Sequence, residues 1–93
     1  MKEKAKKIAE LLKVLANENR LIIFCVLMET PMTVGEIAKH VPKITAPALS
    51  QHLALLKAHG ILESEKVGLT VTYSISDYRV KEIINVLLKC YGQ

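Results

Sequence analysis

The sequence predicts a mainly α-helical fold with one small β-hairpin, and two observations lead to this prediction. Residues 33–60 contain two helical patterns of apolar side chains, separated by a short break at Pro42. Residues 61–75 then contain two strand patterns on either side of Gly68. Together with the flanking helices this is the outline of a winged helix-turn-helix (ααααββα), a scaffold that presents one helix to the DNA major groove and the hairpin to the flanking backbone.

The first two helices follow from the spacing of apolar residues near the N-terminus. A helix over residues 2–16 collects its apolar side chains on one side, opposite several lysines: Ala5, Ile8, Leu12 and Leu15. Asn17 is a suitable N-cap for a second helix over residues 18–29. Because its stretch LIIFCVLM is apolar on every face, we expect this helix in the middle of the core.

The two helices of the helix-turn-helix have recognisable ends. Thr33 and Glu36 fit a capping box, in which a hydroxyl and a carboxylate satisfy backbone donors at a helix start. Pro42 disfavours helical geometry in the residue before it and so ends this helix. Thr45 can cap the next helix, and Pro47 is tolerated in its first turn, where backbone donors lack intrahelical partners.

The second helix of this pair, which stops before Gly60, has an unusual outward face. Its inward stripe consists of Leu49, Leu53 and Leu56. The opposite side carries small and polar residues: Pro47, Ser50, Gln51, Ala54 and Ala58. A solvated surface is the ordinary alternative, but such surfaces are normally rich in Lys and Glu, and this face meets no charge before Lys57. Small side chains allow a helix to enter a groove ~12 Å wide, so the pattern favours a DNA recognition helix.

The hairpin and the last helix complete the chain. The strands are expected at residues 61–66 and 70–75, and the helix over residues 77–91. The apolar stripe of that helix can pack within the chain or against a second copy. Since a 93-residue core already holds the second helix, we expect the first and last helices to form a twofold homodimer. The expected interface residues are Ile8, Leu12, Leu15, Val80, Ile84, Leu87, Leu88 and Tyr91.

Length and composition bound the class of protein. Ninety-three residues can bury one modest core, so we expect a single domain over residues 1–93 that both binds DNA and dimerises. Thirteen Lys and Arg against nine Asp and Glu give a net charge of +4, which suits a polyanionic partner. The longest apolar run, residues 21–28, is far shorter than the ~18 residues of a membrane span. With no targeting segment visible, we expect a cytoplasmic protein that does not bind a membrane.

Several segments resemble one family. The run LANENRLIIFCVL, then TVGEIA, ALSQHLALLKAHGIL and a Gly-tipped hairpin ending in VTYSIS, is similar to the ArsR/SmtB-type family of small dimeric transcriptional repressors, over about residues 8–93. The resemblance implies a winged-helix homodimer that binds double-stranded DNA at an operator palindrome and releases it when a signal arrives. It implies recognition positions at Thr45, Ala46, Pro47, Ser50, Gln51 and His52, and a wing at residues 65–70. The expected DNA-binding set is completed by Lys57, Lys66 and Thr70.

Three departures from the family pattern affect the expected DNA contacts. The loop VPKIT is one residue longer than usual, and Ala46 and Pro47 stand where members often have Gln and Ser. The wing has Glu63, Glu65 and a single Lys66, where members are often rich in arginine. We therefore expect modest affinity and an unusual operator preference. The acidic wing also leaves an alternative function, in which the winged helix binds another protein and not DNA. An enzyme is not expected, because no phosphate loop, nucleophile elbow or metal-hydrolase spacing is present.

The family offers metal-dependent signals, which these residues do not favour. Members that sense arsenic or cadmium have a cysteine pair at the positions of residues 34–36, where this chain has none. The zinc- and nickel-sensing positions on the last helix are occupied by Asp77, Arg79, Cys90 and Gln93. Arginine cannot ligate a metal and glutamine is a poor ligand. We expect no metal and no cofactor, and a metal-responsive repressor remains the alternative.

Thiol chemistry is the other signal that the resemblance implies. The branch that responds to oxidants and persulfides has one cysteine in the second helix, matched by Cys25, and another near the end of the last helix. Cys90 lies two residues before that second position, Gly92, and such a shift turns a helical side chain by ~200°. Cys25 and Cys90 are therefore the candidate redox pair, and the alternative is a buried, inert Cys25. The inducer itself is left open.

Two polar residues each allow two interpretations. Arg20, which the family keeps, either clamps a phosphate or pairs with an acid in the fold. His52 lies at the border of the outward face, so it either bonds a DNA phosphate or forms a structural bond to the backbone.

Overall fold

In the computed structural model, which describes residues 1–92, five helices and three short strands follow one another. They are α1 (Lys2–Leu15), α2 (Glu18–Glu29), β1 (Met32–Thr33), α3 (Val34–His40), α4 (Ala46–Ala58), β2 (Leu62–Val67), β3 (Thr70–Ile75) and α5 (Tyr78–Cys90). The predicted helices and hairpin are confirmed, with ends within a residue of those expected. Gln93, the last of the positions compared with metal-sensing members, lies outside the described residues.

The predicted helix caps are formed. The Asn17 Oδ1 accepts the backbone N–H of Arg20 at 3.1 Å. In the capping box, the Glu36 carboxylate accepts the Thr33 backbone N–H at 2.9 Å and the Thr33 hydroxyl accepts the Glu36 N–H at 3.2 Å. These bonds lower the pKa of Glu36. The Thr45 hydroxyl caps α4 by accepting the Ala48 backbone N–H at 3.2 Å, so a side chain fixes the start of each helix of the pair.

The sheet has three antiparallel strands in the order β1-β3-β2, one strand more than predicted. Strand β1 is only two residues long, and it pairs Met32 with Tyr73. So short a segment has no periodicity by which to predict it. The hairpin turn is the tightest kind, with two residues between the last pair, Val67 and Thr70. Gly68 has a φ of 63° in this turn, a left-handed conformation that glycine adopts readily.

The core is formed by buried side chains from all five helices and from the sheet. Within α2 the buried residues are Ile23, Phe24 and Leu27. The expectation that α2 would be buried on every face was wrong. Its other side, with Leu21, Ile22, Cys25 and Val26, is half-buried and forms one wall of a groove against α5.

The structure also corrects the expected dimer interface. Leu15, Val80 and Ile84 are at most 5% exposed and belong to the chain's own core, so they contribute little surface to the interface for which they were expected. The two helices must be anchored to the core by some of their apolar residues, and these three do so. The remaining expected interface residues are exposed: Ile8, Leu12, Leu87, Leu88 and Tyr91.

Candidate nucleic-acid interface

Helix α4 turns a small and nearly uncharged face outward, as the sequence predicts. Its inward side is fixed by three buried leucines, Leu49, Leu53 and Leu56. The exposed residues, together with the N-cap, are Thr45, Ala46, Pro47, Ser50, Gln51, Ala54, Lys57 and Ala58. Such side chains let a helix backbone approach base edges closely, and Ser50 and Gln51 supply hydrogen-bonding groups at the centre of this face.

The hairpin lies beside α4 and is joined to it by a hydrogen bond from the Lys57 Nζ to the Ser64 hydroxyl, at 2.7 Å. Because side chains alternate along a strand, Lys66 shares the Ser64 face of the hairpin, toward α4. Glu63 and Glu65 point to the opposite face. The acidic residues that counted against DNA binding are therefore directed away from the recognition helix, and the basic one toward it.

The tip of the wing is apolar, a feature that the sequence analysis missed. Leu69 is 98% exposed and Val67 is 70% exposed, on either side of Gly68. Thr70, an expected DNA-binding residue, is exposed at this tip and lies on the Glu65 face, not on the Lys66 face. The signal for this apolar tip in the sequence was the pair of apolar residues, Val67 and Leu69, on either side of the turn glycine.

Arg20 and His52 contact each other. The Arg20 Nε donates to the Val14 carbonyl oxygen at 2.5 Å, and the Arg20 Nη1 lies 3.3 Å from the His52 Nδ1. Arg20 thus bonds a carbonyl oxygen and an imidazole in place of the acid considered for it, and the structural bond of His52 goes to a side chain, not to the backbone. Burial, and then the Arg20 charge, lower the pKa of His52 and so favour the neutral imidazole. The start of α2 is thus fixed against one flank of α4.

An apolar surface extends over α1 and α5. Its exposed side chains are Ile8, Leu12, Ile83, Leu87, Leu88 and Tyr91. A groove of about 290 Å³ separates α1 from α5, and a larger one of about 680 Å³ separates α2 from α5. Continuous apolar surfaces of this kind usually mark an interaction site.

The two cysteines occupy different surroundings. Cys25 lines the α2–α5 groove with Leu88 and Tyr91, and burial raises the pKa of its thiol. Cys90 is exposed and is not among the residues that line this groove. Both thiols are free. The structure therefore does not bring the candidate redox pair together in one groove.

Residues 1–92 contain neither a group of metal ligands nor a membrane-spanning helix. No three Asp, Glu, His or Cys side chains in this range are grouped so that they could hold a metal ion. Asp77 is instead bound by Arg79 through two hydrogen bonds, of 3.0 and 2.9 Å, which lower the pKa of Asp77. No helix within the range is both long and apolar enough to cross a membrane.

Comparison with known sequences identifies relatives along most of the chain. The family model described as "Bacterial regulatory protein, arsR family" matches residues 17–64, from the α2 cap to the middle of β2. The transcriptional activator HlyU of Vibrio cholerae is 39% identical over 93 residues, which are all of this chain and 85% of that protein. The biofilm growth-associated repressor of Xylella fastidiosa is 32% identical over 87 residues, 94% of this chain and 75% of that one.

Solved structures agree with these relatives. HlyU from Vibrio cholerae superimposes with a TM-score of 0.91 at 39% identity, covering all of both chains, and a structure described as reduced HlyU gives 0.90, covering all of this chain and 97% of that one. A Mycobacterium bovis domain, described as a homodimeric winged helix-turn-helix DNA-binding domain, gives 0.83 at 25% identity, over 96% of this chain and 82% of that one. The fold, the outward face of α4 and these matches lead to one conclusion: the chain belongs to the ArsR family of bacterial regulatory proteins and is a DNA-binding transcriptional regulator.

Proposed function

We propose that this protein is a repressor that binds a palindromic operator as a homodimer, with α4 in the major groove and the wing along the flanking backbone. The observation that carries the proposal is the exposed face of α4, where Ser50 and Gln51 lie among small side chains. Lys57 and Lys66 stand at the edge of this face that adjoins the wing, where phosphates border a groove. The proposed DNA-binding residues are those of the outward face with Lys66 and Thr70 of the wing and, at the flank, His52.

Dimerisation is the second part of the proposal. Only Val80 and Ile84 of α5 are buried within the chain, which leaves the rest of the apolar stripe of α5 for a partner. Ile8 and Leu12 of α1 extend the same surface. A Mycobacterium bovis relative is described as homodimeric, and a twofold dimer would place two recognition helices about one DNA turn apart.

Binding to a duplex selected from random DNA tests the proposal. We expect the affinity of the parent protein to fall steeply as salt rises, since each neutralised phosphate adds about 0.9 to the slope of log K against log salt. Gln51→Ala should bind with relaxed base preference, at a cost of roughly 1–3 kcal/mol for the preferred duplex. Asn85→Ala, an exposed change on α5, is the control. Equal binding of all duplexes by the parent and by Gln51→Ala would remove α4 as the reading element.

A thiol-dependent release of DNA is a further part of the proposed regulation, and the observation that favours it is the position of Cys25 in the wall of the α2–α5 groove. Oxidation by diamide would join the Cys25 and Cys90 sulfurs, with loss of two protons and two electrons, while diamide becomes the hydrazine. Since Cys90 does not line the groove, this bond requires the last turn of α5 to rearrange, because a disulfide needs Cα atoms within about 7 Å.

Diamide treatment with mass mapping and a DNA-binding assay tests this step. The expected result is one intrachain disulfide and weakened DNA binding in the parent protein, with neither change in Cys25→Ser or Cys90→Ser. Unaltered DNA affinity after complete modification of both thiols would show that the signal is a different one.

A further inference from the structure

The contact between Arg20 and His52 has a chemical consequence for the imidazole. A guanidinium group only donates hydrogen bonds, so the Nδ1 of His52, 3.3 Å from the Arg20 Nη1, must act as the acceptor. The lone pair on Nδ1 is then engaged, and the ring proton of the neutral imidazole resides on Nε2. The direction of this one bond thus fixes the tautomer of His52.

The Nε2 atom of His52 is free to contact a ligand. Within residues 1–92 the Nε2 atom has no hydrogen-bond partner. Every buried side-chain nitrogen or oxygen in that part of the chain does have a partner, so Nε2 is not buried. The His52 Nε2 therefore reaches solvent and presents an N–H donor. The imidazole leaves α4 ~100° around the helix from Gln51, on the flank opposite to Lys57 and the wing. When the centre of a helix face meets base edges, the flanks meet the phosphate walls of the groove.

Arg20 holds its own position through a second bond. Its Nε donates to the Val14 carbonyl oxygen, at the end of α1, while its backbone N–H is bound by the Asn17 cap. Arg20 is thereby held by one hydrogen bond of its backbone and one of its Nε, in addition to its contact with His52. The planar fork of arginine can supply two donors in these directions, which the single ammonium of lysine cannot reproduce.

We propose that Arg20 is a positioning residue for DNA binding: it holds His52 in the Nε2–H tautomer so that this N–H donates to a phosphate oxygen at the edge of the major groove. This inference rests on the proposed insertion of α4 into DNA. It assigns Arg20 a role without phosphate contact of its own, and it makes the end of α1 part of the support for the recognition helix.

Isosteric substitutions of His52 test the inference. The amide of glutamine can place an N–H near the Nε2 position, whereas that of asparagine reaches only the Nδ1 position. We expect His52→Gln to bind the selected duplex within about threefold of the parent protein. His52→Asn should bind about tenfold more weakly, as a lost hydrogen bond to a charged phosphate predicts. Equal affinities of the two variants would overturn the assignment of Nε2 as the donor.

Substitutions of Arg20 separate positioning from charge. Both Arg20→Lys and Arg20→Met should weaken binding about tenfold with an unchanged salt slope, because no phosphate neutralised by Arg20 is lost. Long-range ¹H–¹⁵N NMR spectra at pH 8 should show the Nε2–H tautomer of His52 in the parent protein and a mixture in Arg20→Met. Full affinity in Arg20→Lys, or a slope reduced by about 0.9 in Arg20→Met, would show instead that the charge of Arg20 acts on the DNA directly. If the parent protein binds no duplex at all, the proposed function fails. If the parent binds DNA and the Arg20 and His52 variants bind it equally well, the positioning role fails and the proposed function stands.

Discussion

At the scale of single residues, side chains that bond backbone groups decide where the helices begin. Asn17, Thr33 and Thr45 each bind a donor that has no partner inside its helix. These caps were visible in the sequence because their chemistry is local: the residue and its target lie three positions apart. The cap at Asn17 has a second function, since it sets the backbone of Arg20 beside the recognition helix.

The Asn17 cap should contribute measurably to stability. We expect Asn17→Ala to lower the free energy of unfolding by about 1 kcal/mol, because the Arg20 N–H loses its acceptor. Asn85→Ala, at an exposed position inside α5, should be neutral or slightly stabilising. Urea denaturation of the two variants measures the difference. Equal stability of the variants would mean that the cap contributes nothing.

The titration of His52 should couple the stability of the fold to pH. Because burial and the facing charge of Arg20 lower its pKa, the unfolded chain takes up the proton first when the pH falls below about 6.5. The stability contributed by the neutral imidazole is complete above that pH and is lost as the pH falls through the folded-state value. Urea denaturation at pH 7.5 and pH 5.0 should show a larger loss for the parent protein than for His52→Gln. The same pH dependence in both would contradict this account.

At the scale of elements, the orientation of the wing follows from strand alternation and from one bond to α4. The Lys57–Ser64 hydrogen bond places the Ser64 face of β2 toward the recognition helix. Lys66 shares that face, and Glu63 and Glu65 do not. The charge of the wing as a whole is therefore a poor guide to the charge it presents to DNA.

A matched pair of substitutions tests this orientation. Lys66→Ala should weaken binding to the selected duplex and reduce the salt slope by about 0.9, as expected when one phosphate contact is lost. Glu65→Ala removes the adjacent charge from the opposite face and should leave the slope unchanged. Salt titrations by fluorescence anisotropy measure both. A larger effect of Glu65→Ala than of Lys66→Ala would reverse the assigned faces.

The elements and the reading face could be predicted from the sequence because both depend on local periodicity and capping. Strand β1 could not, because two residues carry no period and their pairing with β3 is set by the fold. The contact between Arg20 and His52 joins residues thirty-two positions apart, and no local pattern indicates it. Leu15, Val80 and Ile84 were misassigned because a stripe shows which side of a helix is apolar, but not which part the chain itself covers.

At the scale of the whole molecule, the chain covers only part of its apolar surface. Helix α5 is attached to the core by Val80 and Ile84, while Leu87, Leu88 and Tyr91 remain exposed beside two grooves. A second copy that buries this surface would add to the modest stability expected of a core of this size. Assembly and DNA recognition would then depend on each other, because one recognition helix contacts only half of an operator.

A charge within this surface should prevent assembly. Leu87→Lys would bury an unpaired ammonium in the proposed interface, at a cost of several kcal/mol, and should shift the protein to monomers that bind the operator weakly. Glu82→Lys, on the exposed opposite side of α5, should remain dimeric. Sedimentation velocity distinguishes the two. If Leu87→Lys dimerises as tightly as the parent protein, the interface lies elsewhere.

Selection of duplexes from a random DNA library by the purified protein, with Gln51→Ala selected in parallel, tests whether α4 reads DNA. A dimer that reads DNA with α4 should enrich a palindrome whose half-sites are centred about 10–10.5 base pairs apart. Gln51→Ala should enrich the same spacing with reduced preference at one symmetric pair of positions. Enrichment of no sequence by the parent protein, or of an identical sequence at every position by Gln51→Ala, would contradict the assignment of α4 as the element that reads DNA.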